Sequence, residues 1–300
     1  MNLKEVLRGL GHDRLALFGL TIVVILLVTG IFAPLIAPYG YKDQNLDAAE
    51  QPVSREHLLG TDQLGRDIFS RIVWGARTAS FVVVVSLALG TPVGIFLGAI
   101  TGYFGGIVDT IVMRIADILF AFPGMLLIFF LASTLGPRID QISRSIAALD
   151  PLVKGGYIDY IVVVVTLSLI GWAGGARLVR GQFLSIKERD YIDAARCLGA
   201  SNWRLIFRHI LPNAASPIIV SLSMGAGGII LSEAFLSFLG IGIRPPNPSW
   251  GAMIFTNYAF WRTRPMLVWI PGLVIGVIIL AFNFLGDGLN RALNPFSKRR

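Results

Sequence analysis

Long apolar runs separated by polar connections dominate the chain, and their lengths decide the reading before any single residue does. A hydrocarbon core of ~30 Å takes about 20 mostly apolar residues in a helix. Six runs reach that length: Leu15 to Ala37, about Thr78 to Gly102, about Ile107 to Leu135, Tyr160 to about Leu178, about Ala214 to Ile241, and about Pro265 to Leu289. Each predicts one spanning helix, so the fold class is an all-α integral membrane protein with six transmembrane helices. Lys4, Arg8 and Arg14 before the first run imitate a secretory signal. The run is too long for one, and Pro34 and Pro38 crowd any cleavage site, so it reads as a retained span.

The glycines refine this pattern. Gly90, Gly94, Gly98 and Gly102 recur every fourth residue, on one face of the second helix, where they predict close approach of a neighbour. Gly171, Gly174 and Gly175 predict the same for the fourth span, and Pro92 predicts a bend in the second. The polar connections differ in length. Pro38 to about Arg77 is long enough to hold structure of its own, Gly136 to Asp159 is an insert, Arg180 to Pro212 is heavily charged, and Arg244 to Pro248 is rich in proline. Trp250, Tyr258, Trp261 and Trp269 follow, aromatics of the kind that sit at a membrane interface. The chain thus divides into residues 1–77 (first span and outer loop), a core of 78–290 carrying the loop 185–212, and a basic tail of 291–300 ending in Lys298, Arg299 and Arg300.

Composition agrees: 54% of the 300 residues are hydrophobic and 15% charged, with a mean hydropathy of +0.70. The net charge of +8 fits basic cytoplasmic loops better than a nucleic-acid partner. Placing both termini in the cytoplasm puts Lys187, Arg189, Arg196, Arg204 and Arg208 inside. Lys42, Arg55, Arg66, Arg71 and Arg77 then fall in the outer loop, interleaved with Asp43, Asp47, Glu50, Asp62 and Asp67. One cysteine, Cys197, and three scattered histidines (His12, His57, His209) give no material for a metal cluster or a disulfide framework. None of the five lysines stands in a phosphate-binding glycine loop, and no nucleophile elbow is present. An enzyme is not expected, and any energy for transport must come from elsewhere.

The charged loop is where such energy would enter. Ser185 followed by Glu188 fits a capping box and predicts a helix start. Tyr191, Ala194, Ala195 and Leu198 then form an apolar strip, Gly199 breaks the helix, and Ser201 or Asn202 caps a second one. In that second helix Trp203, Phe207 and Ile210 share one face and Arg204 and Arg208 another, and Pro212 closes the segment. The run Asp193, Ala194, Ala195, then Gly199, then Leu211 and Pro212 resembles the E-A-A loop of binding-protein-dependent ABC importer permeases, with Asp193 for the usual Glu and His209 for the usual Ile. His57 to Asp67 with Gly75, Ala76 and Arg77 is similar to the outer-loop signature of the second permease subunit of dipeptide, oligopeptide and nickel importers. Gly102 to Gly106, Met113 and Arg114 with Asp117, Leu236 to Gly240 with Pro245, Pro246, Trp250 and Gly251, and Phe282, Asn283 and Gly286 to Gly288 are similar to that subfamily as well. Only the insert from about Pro137 to Asp159 falls outside the resemblance.

What the resemblance implies is a type I ABC importer permease bundle in the bacterial inner membrane, working with a homologous permease, two ATPase subunits and an external solute-binding protein. Its loop would be the coupling helix seated in a groove of an ATPase, and ATP and Mg would bind those partner subunits, with no cofactor in this chain. Peptides are the implied solute, nickel the alternative, and a self-sufficient ion-coupled carrier or channel the rival from another class.

Charges inside spans cost roughly 2.5 to 3.5 kcal/mol each on insertion scales, so each marks a candidate. Arg114 and Asp117 read first as a structural ion pair on one helix face, and otherwise as part of the path. Glu233, among Gly225, Gly227, Gly228 and Ser232, reads equally as a path residue or a buried hydrogen-bonding group. Asp287 is expected to cap or to pair with Arg291. Asp62, Arg66 and Asp67 are expected either to contact the solute-binding protein or to form a solvated, salt-bridged turn.

Overall fold

A computed structural model describes residues 10, 11 and 13 to 293. Lys4, Arg8, His12 and the tail residues Lys298, Arg299 and Arg300 lie outside the described residues. The described residues include six helices long and apolar enough to cross a bilayer. In chain order the helices are α1 (Arg14–Ile36), α2 (Ile68–Phe104), α3 (Gly106–Ala121), α4 (Gly124–Ser145), α5 (Ile158–Lys187), α6 (Asp190–Cys197), α7 (Asn202–Phe238), α8 (Trp250–Asn257) and α9 (Met266–Leu293).

Asp13 opens α1 by accepting from the amides of Leu15 and Ala16, and the helix loses regular geometry at Phe32, just ahead of Pro34. α2 starts at Ile68, so the first polar connection ends earlier than the apolar run suggested and the boundary at 77 falls inside a helix. The helix runs on through Pro92. The third apolar run is two helices. Phe122 is extended (φ −93°, ψ 144°) because the ring of Pro123 disfavours the helical conformation at the residue before it. α4 then continues past Pro137 to Ser145, so part of the unrecognised insert is helical. A 3₁₀ turn (Ala147–Leu149) and a helical turn (Asp150–Lys154) lead into α5.

In lipid the hydrophobic effect does little to join helices, and close contact between small residues takes its place. The glycine ladder of α2 does this against α5. A methyl at Gly98 would come within 2.5 Å of the Ala176 carbonyl and 2.7 Å of Val179 Cβ, and one at Gly102 within 2.6 Å of Phe183 Cβ. On α5 the expectation holds only for Gly175, which faces Gly94; Gly171 borders open space. α1, α2, α7, α8 and α9 share one apolar cluster built on Ile68, Ile230, Trp250 and Ala281, and α2, α4, α5 and α7 share another around Val82, Val163 and Leu236. Trp250 is therefore a core residue rather than an interfacial one. Its indole lies against Gly75 and donates to the Ile72 carbonyl (3.1 Å), whereas Tyr258, Trp261 and Trp269 stay exposed as expected.

The loop between α1 and α2 is folded around its charges. Asp62 accepts from the amides of Leu64 and Arg66 (both 3.0 Å) and from Arg66 Nε (2.6 Å). Asp67 caps α2 by accepting from Ser70 N (2.7 Å), and its other oxygen lies 3.0 Å from His57 Nδ1. Gly65 has φ +65°, and a methyl there would fall 1.7 Å from the Asn45 carbonyl oxygen, a conformation and a clearance that only glycine meets.

Candidate functional site

Two ends of the bundle carry the predicted site residues. At one end α5 runs unbroken through Ser185 to Lys187, and Glu188 is its C-cap. The predicted capping box therefore does not form: Ser185 stands inside a helix that is already under way, so its amide has a partner. The new helix, α6, begins only at Asp190, after extended Arg189. Gly199 ends it as predicted, with φ +81°, a hydrogen bond from its N–H to the Arg196 carbonyl (3.0 Å) and a following one from Ala200 N to the Ala195 carbonyl (3.1 Å). Ser201 caps the next helix by accepting from Arg204 N, and Tyr103 at the end of α2 donates to the Asn202 side chain (2.8 Å), fastening the turn to the bundle.

Pro212 does not close this segment. α7 passes through it without interruption, by way of a widened π-helical turn at Leu205–Ile210 in which the Leu211 amide reaches back to the Ile206 carbonyl. Asn213 donates its side-chain amide to the His209 carbonyl (2.6 Å), supplying a partner beside the proline that lacks an N–H. The wider turn also moves Ile210 off the face of Trp203 and Phe207. Ile210 is buried with Ile192, Leu205, Ile206 and Phe183, whereas Trp203 and Phe207 stack on each other (5.7 Å) in the open.

The loop residues Asp193, Ala194, Gly199 and Pro212 are exposed, and Ala195 and Leu211 half-buried. Asp193 pairs with Arg196 (2.9 Å) at the surface. Leu198 was read as part of a strip and is the most exposed of the large apolar side chains here, at 89%. The segment thus buries one set of apolar side chains under itself and leaves another (Tyr191, Leu198, Trp203, Phe207) exposed.

The intramembrane charges sort differently. Glu233 is 1% exposed, and its Oε1 accepts from the hydroxyls of Ser237 and Ser249 (2.8 Å each). It fastens the turn after α7 and has the buried hydrogen-bonding role, one of its two readings. The expected Arg114–Asp117 pair does not form. Asp117 takes Arg177 of α5 instead (2.5 Å), and Arg114 is exposed. Arg180, which sequence reasoning missed, grips Asp109 of α3 through two bonds (2.5 and 2.6 Å). A cavity of about 230 Å³ between α2, α5 and α7 is lined by uncharged residues, among them Ser86, Gly90, Thr91, Gly171, Ser221 and Gly225, and by none of the three proposed path charges. Arg291 donates from Nε to Asp13 (2.8 Å), joining α9 to the start of α1. The amides of the α1 N-terminus, Ala16 first, then Arg291, hold the Asp13 carboxyl below its ordinary range.

At the other end, Asp62, Arg66 and Asp67 are 2%, 4% and 5% exposed. The turn is salt-bridged as expected, Arg66 to Asp62, but it is buried rather than solvated, because the side chains satisfy one another and the loop backbone inside the fold. Nor do they reach the surface of the chain as contact residues would. Nearby, Arg244 clasps Asp159 (2.7 Å), and that hydrogen bond raises its already high pKa.

Comparison with known proteins converges with this geometry. The family described as binding-protein-dependent transport system inner membrane component matches residues 90–299, and the N-terminal TM domain of oligopeptide transport permease C matches residues 2–52. An oligopeptide transport system permease protein of Bacillus subtilis is 37% identical over 97% of this chain and 89% of its own length. A dipeptide transport system permease protein of Alkalihalophilus pseudofirmus is 38% identical over 98% and 90%, and a glutathione transport system permease protein of Pectobacterium atrosepticum 38% over 97% and 90%. With its six apolar helices and its exposed loop between α5 and α7, the chain belongs to the family of inner membrane components of binding-protein-dependent transport systems.

Proposed function

We propose that the chain is one of two homologous permease subunits of an ATP-driven importer of dipeptides, oligopeptides or a closely related solute in a bacterial cell membrane. Both termini are cytoplasmic, two ATPase subunits bind ATP and Mg, and an external binding protein delivers the solute. The names of the relatives favour peptides over nickel.

The observation that carries this reading is the exposure of Leu198 and of the stacked Trp203 and Phe207 on a segment whose other side is fixed to the bundle core. Large apolar groups exposed together mark a surface for another protein. Asp193, Ala194, Ala195, Gly199, Leu211 and Pro212 then serve as the docking element: the small residues admit the ATPase surface closely, and Asp193 and Arg196 supply polar contacts at its rim. Movement of the ATPase passes into α7, which is helical from Asn202 to Phe238, and so tips the spans between inward-open and outward-open states. The outer loop supports the orientation. Arg66 spends its charge inside on Asp62 and Arg71 is buried beside it, so the free positive charge on that side is smaller than the sequence count.

Leu198→Asp tests the reading. It should leave the permease pair intact on purification while ATPase association and peptide uptake fall at least ~10-fold, as for a hot-spot residue. Full retention of the ATPases with unchanged uptake would overturn it, as would labelling of Cys197, the neighbouring thiol, from outside the cell.

A further inference from the structure

At the end of the bundle that carries the loop between α1 and α2, a pocket of about 320 Å³ lies where that loop, the first turns of α2, the start of α5 and the turn at Asn247 and Pro248 meet. Its walls are aromatic. Tyr41 and Trp74 meet edge to face (5.1 Å between centroids), Phe81 and Tyr160 likewise (5.8 Å), and Tyr157 lies beside Tyr160 (6.1 Å). Phe81 and Tyr157 are about half exposed, so the pocket is open to a ligand.

One charge faces this space. Arg77 is exposed on α2 with its guanidinium 5.6 Å from the centre of the Trp74 ring. No acidic residue lines the pocket, and no salt bridge holds Arg77 among the described residues. Arg66, Arg177, Arg180, Arg244 and Arg264 each have a carboxylate from this chain, whereas Arg114 and Arg262, like Arg77, have no salt bridge among the described residues; what sets Arg77 apart is the aromatic pocket that it lines. The Tyr160 hydroxyl adds a polar point, 3.0 Å from Thr78 Oγ1, and Asn247 is held in place by the Gly156 carbonyl (2.8 Å).

We infer that this pocket receives the carboxylate-bearing terminal residue of the transported peptide. Arg77 takes the carboxylate, and the rings take an aromatic or bulky apolar side chain. A planar guanidinium matches a carboxylate by two parallel hydrogen bonds. The cation–π contact with Trp74 holds that fork beside the pocket while leaving its donors free. The volume, at the lower end for ligand pockets, suits one residue rather than a whole oligopeptide, so the rest of the solute would extend towards the spans. The same anion chemistry is available from a lipid phosphate, and the test separates the two. This inference rests on the peptide-import reading given above.

The test uses the complete importer, with its binding protein, in proteoliposomes. Uptake of a dipeptide ending in phenylalanine is compared with uptake of its C-terminal amide, for the wild-type chain, Arg77→Gln and Arg77→Lys. The preference of the binding protein cancels in the ratio between variants. Arg77→Gln should lower uptake of the free acid about tenfold or more, the loss of a charge-assisted pair, with the amide and the solute-free ATP turnover unchanged; Arg77→Lys should recover part of it. A second readout bypasses delivery and covers poor uptake of the amide. A dipeptide ending in benzoylphenylalanine, added to the assembled permease without binding protein, should photolabel residues 74–81 or 157–160 in the wild type and lose most of that labelling in Arg77→Gln. Peptide uptake and labelling indifferent to Arg77 overturn this inference alone. So does an Arg77 effect that disappears when anionic lipid is replaced by zwitterionic lipid, which would assign the charge to a headgroup. A wild-type importer that carries no peptide overturns the peptide reading itself, and this inference with it.

Discussion

The two ends of the molecule invert each other. In sequence, residues 57–67 and residues 187–208 look alike: polar, interleaved in charge and punctuated by glycine. In space the first turns its ions inward, so that Asp62, Arg66 and Asp67 hold the loop between α1 and α2 together. The second turns apolar side chains outward, with Leu198 and Trp203 left in the open and Ile192 and Leu205 beneath. Charge in a sequence is thus no guide to exposure. What decides is whether the local backbone supplies partners: Asp62 and Asp67 each sit where free amides point at them, whereas Asp193 and Arg196 find only each other at the surface.

This contrast can be broken from either end. The largest effect is expected for Asp62→Ala, which strands Arg66 in a buried site; removing one partner of a buried pair costs about 3 to 5 kcal/mol. The outer loop should open to protease between residues 50 and 66 while the spans stay assembled, and a loop as resistant as the wild type would show that the cluster does not hold it. Next comes Gly199→Val, which forces a branched residue to φ +81° and should destabilise the α6 terminus by about 1 to 2 kcal/mol. Hydrogen exchange at Ala200 would report it. Asp13→Ala removes the α1 cap, worth about 1 kcal/mol, seen as faster exchange at Leu15 and Ala16. Because the folded Asp13 carboxyl is held below its ordinary value, its contribution is present above the unfolded pKa and is lost as pH falls through the folded one. The same exchange measurement repeated down to acid pH should show the wild type approaching the variant. The smallest effect on folding belongs to Leu198→Asp, within about 0.5 kcal/mol as for a surface site, although its effect on ATPase docking should be large. Concurrent loss of folding would show that Leu198 belongs to the core.

Hydropathy made the six spans legible, and the four-residue spacing of Gly90 to Gly102 made the α2–α5 contact legible, because both are local patterns. The break at Phe122 was written in the sequence as an X-Pro step, but the apolar residues on either side hid it within a single run. Ser185 and Glu188 had the letters of a capping box without its context, since the signature requires a helix that has not yet begun. The partners of Asp117 and Asp109 were out of reach. Arg177 and Arg180 stand 60 and 71 positions away, and for Asp117 nearest-neighbour spacing offered Arg114 instead. Within residues 185–212 the residue types were readable, but the outward face was not: with a widened turn at Leu205–Ile210, the face expected to hold Trp203, Phe207 and Ile210 together is divided, Ile210 in the core and the two rings outside.

That turn is also what lets one helix pass Pro212 and continue to Phe238. At 1.5 Å per residue, 37 residues of α7 reach ~55 Å, against ~30 Å of hydrocarbon. Such a lever arm extends well past the lipid on at least one side. Pivoting it by about 10° at one tip would sweep the opposite tip by roughly 10 Å, by simple trigonometry on that length. Glu233 and its two serines lie near the far tip, so the turn that follows α7 travels with any such tilt.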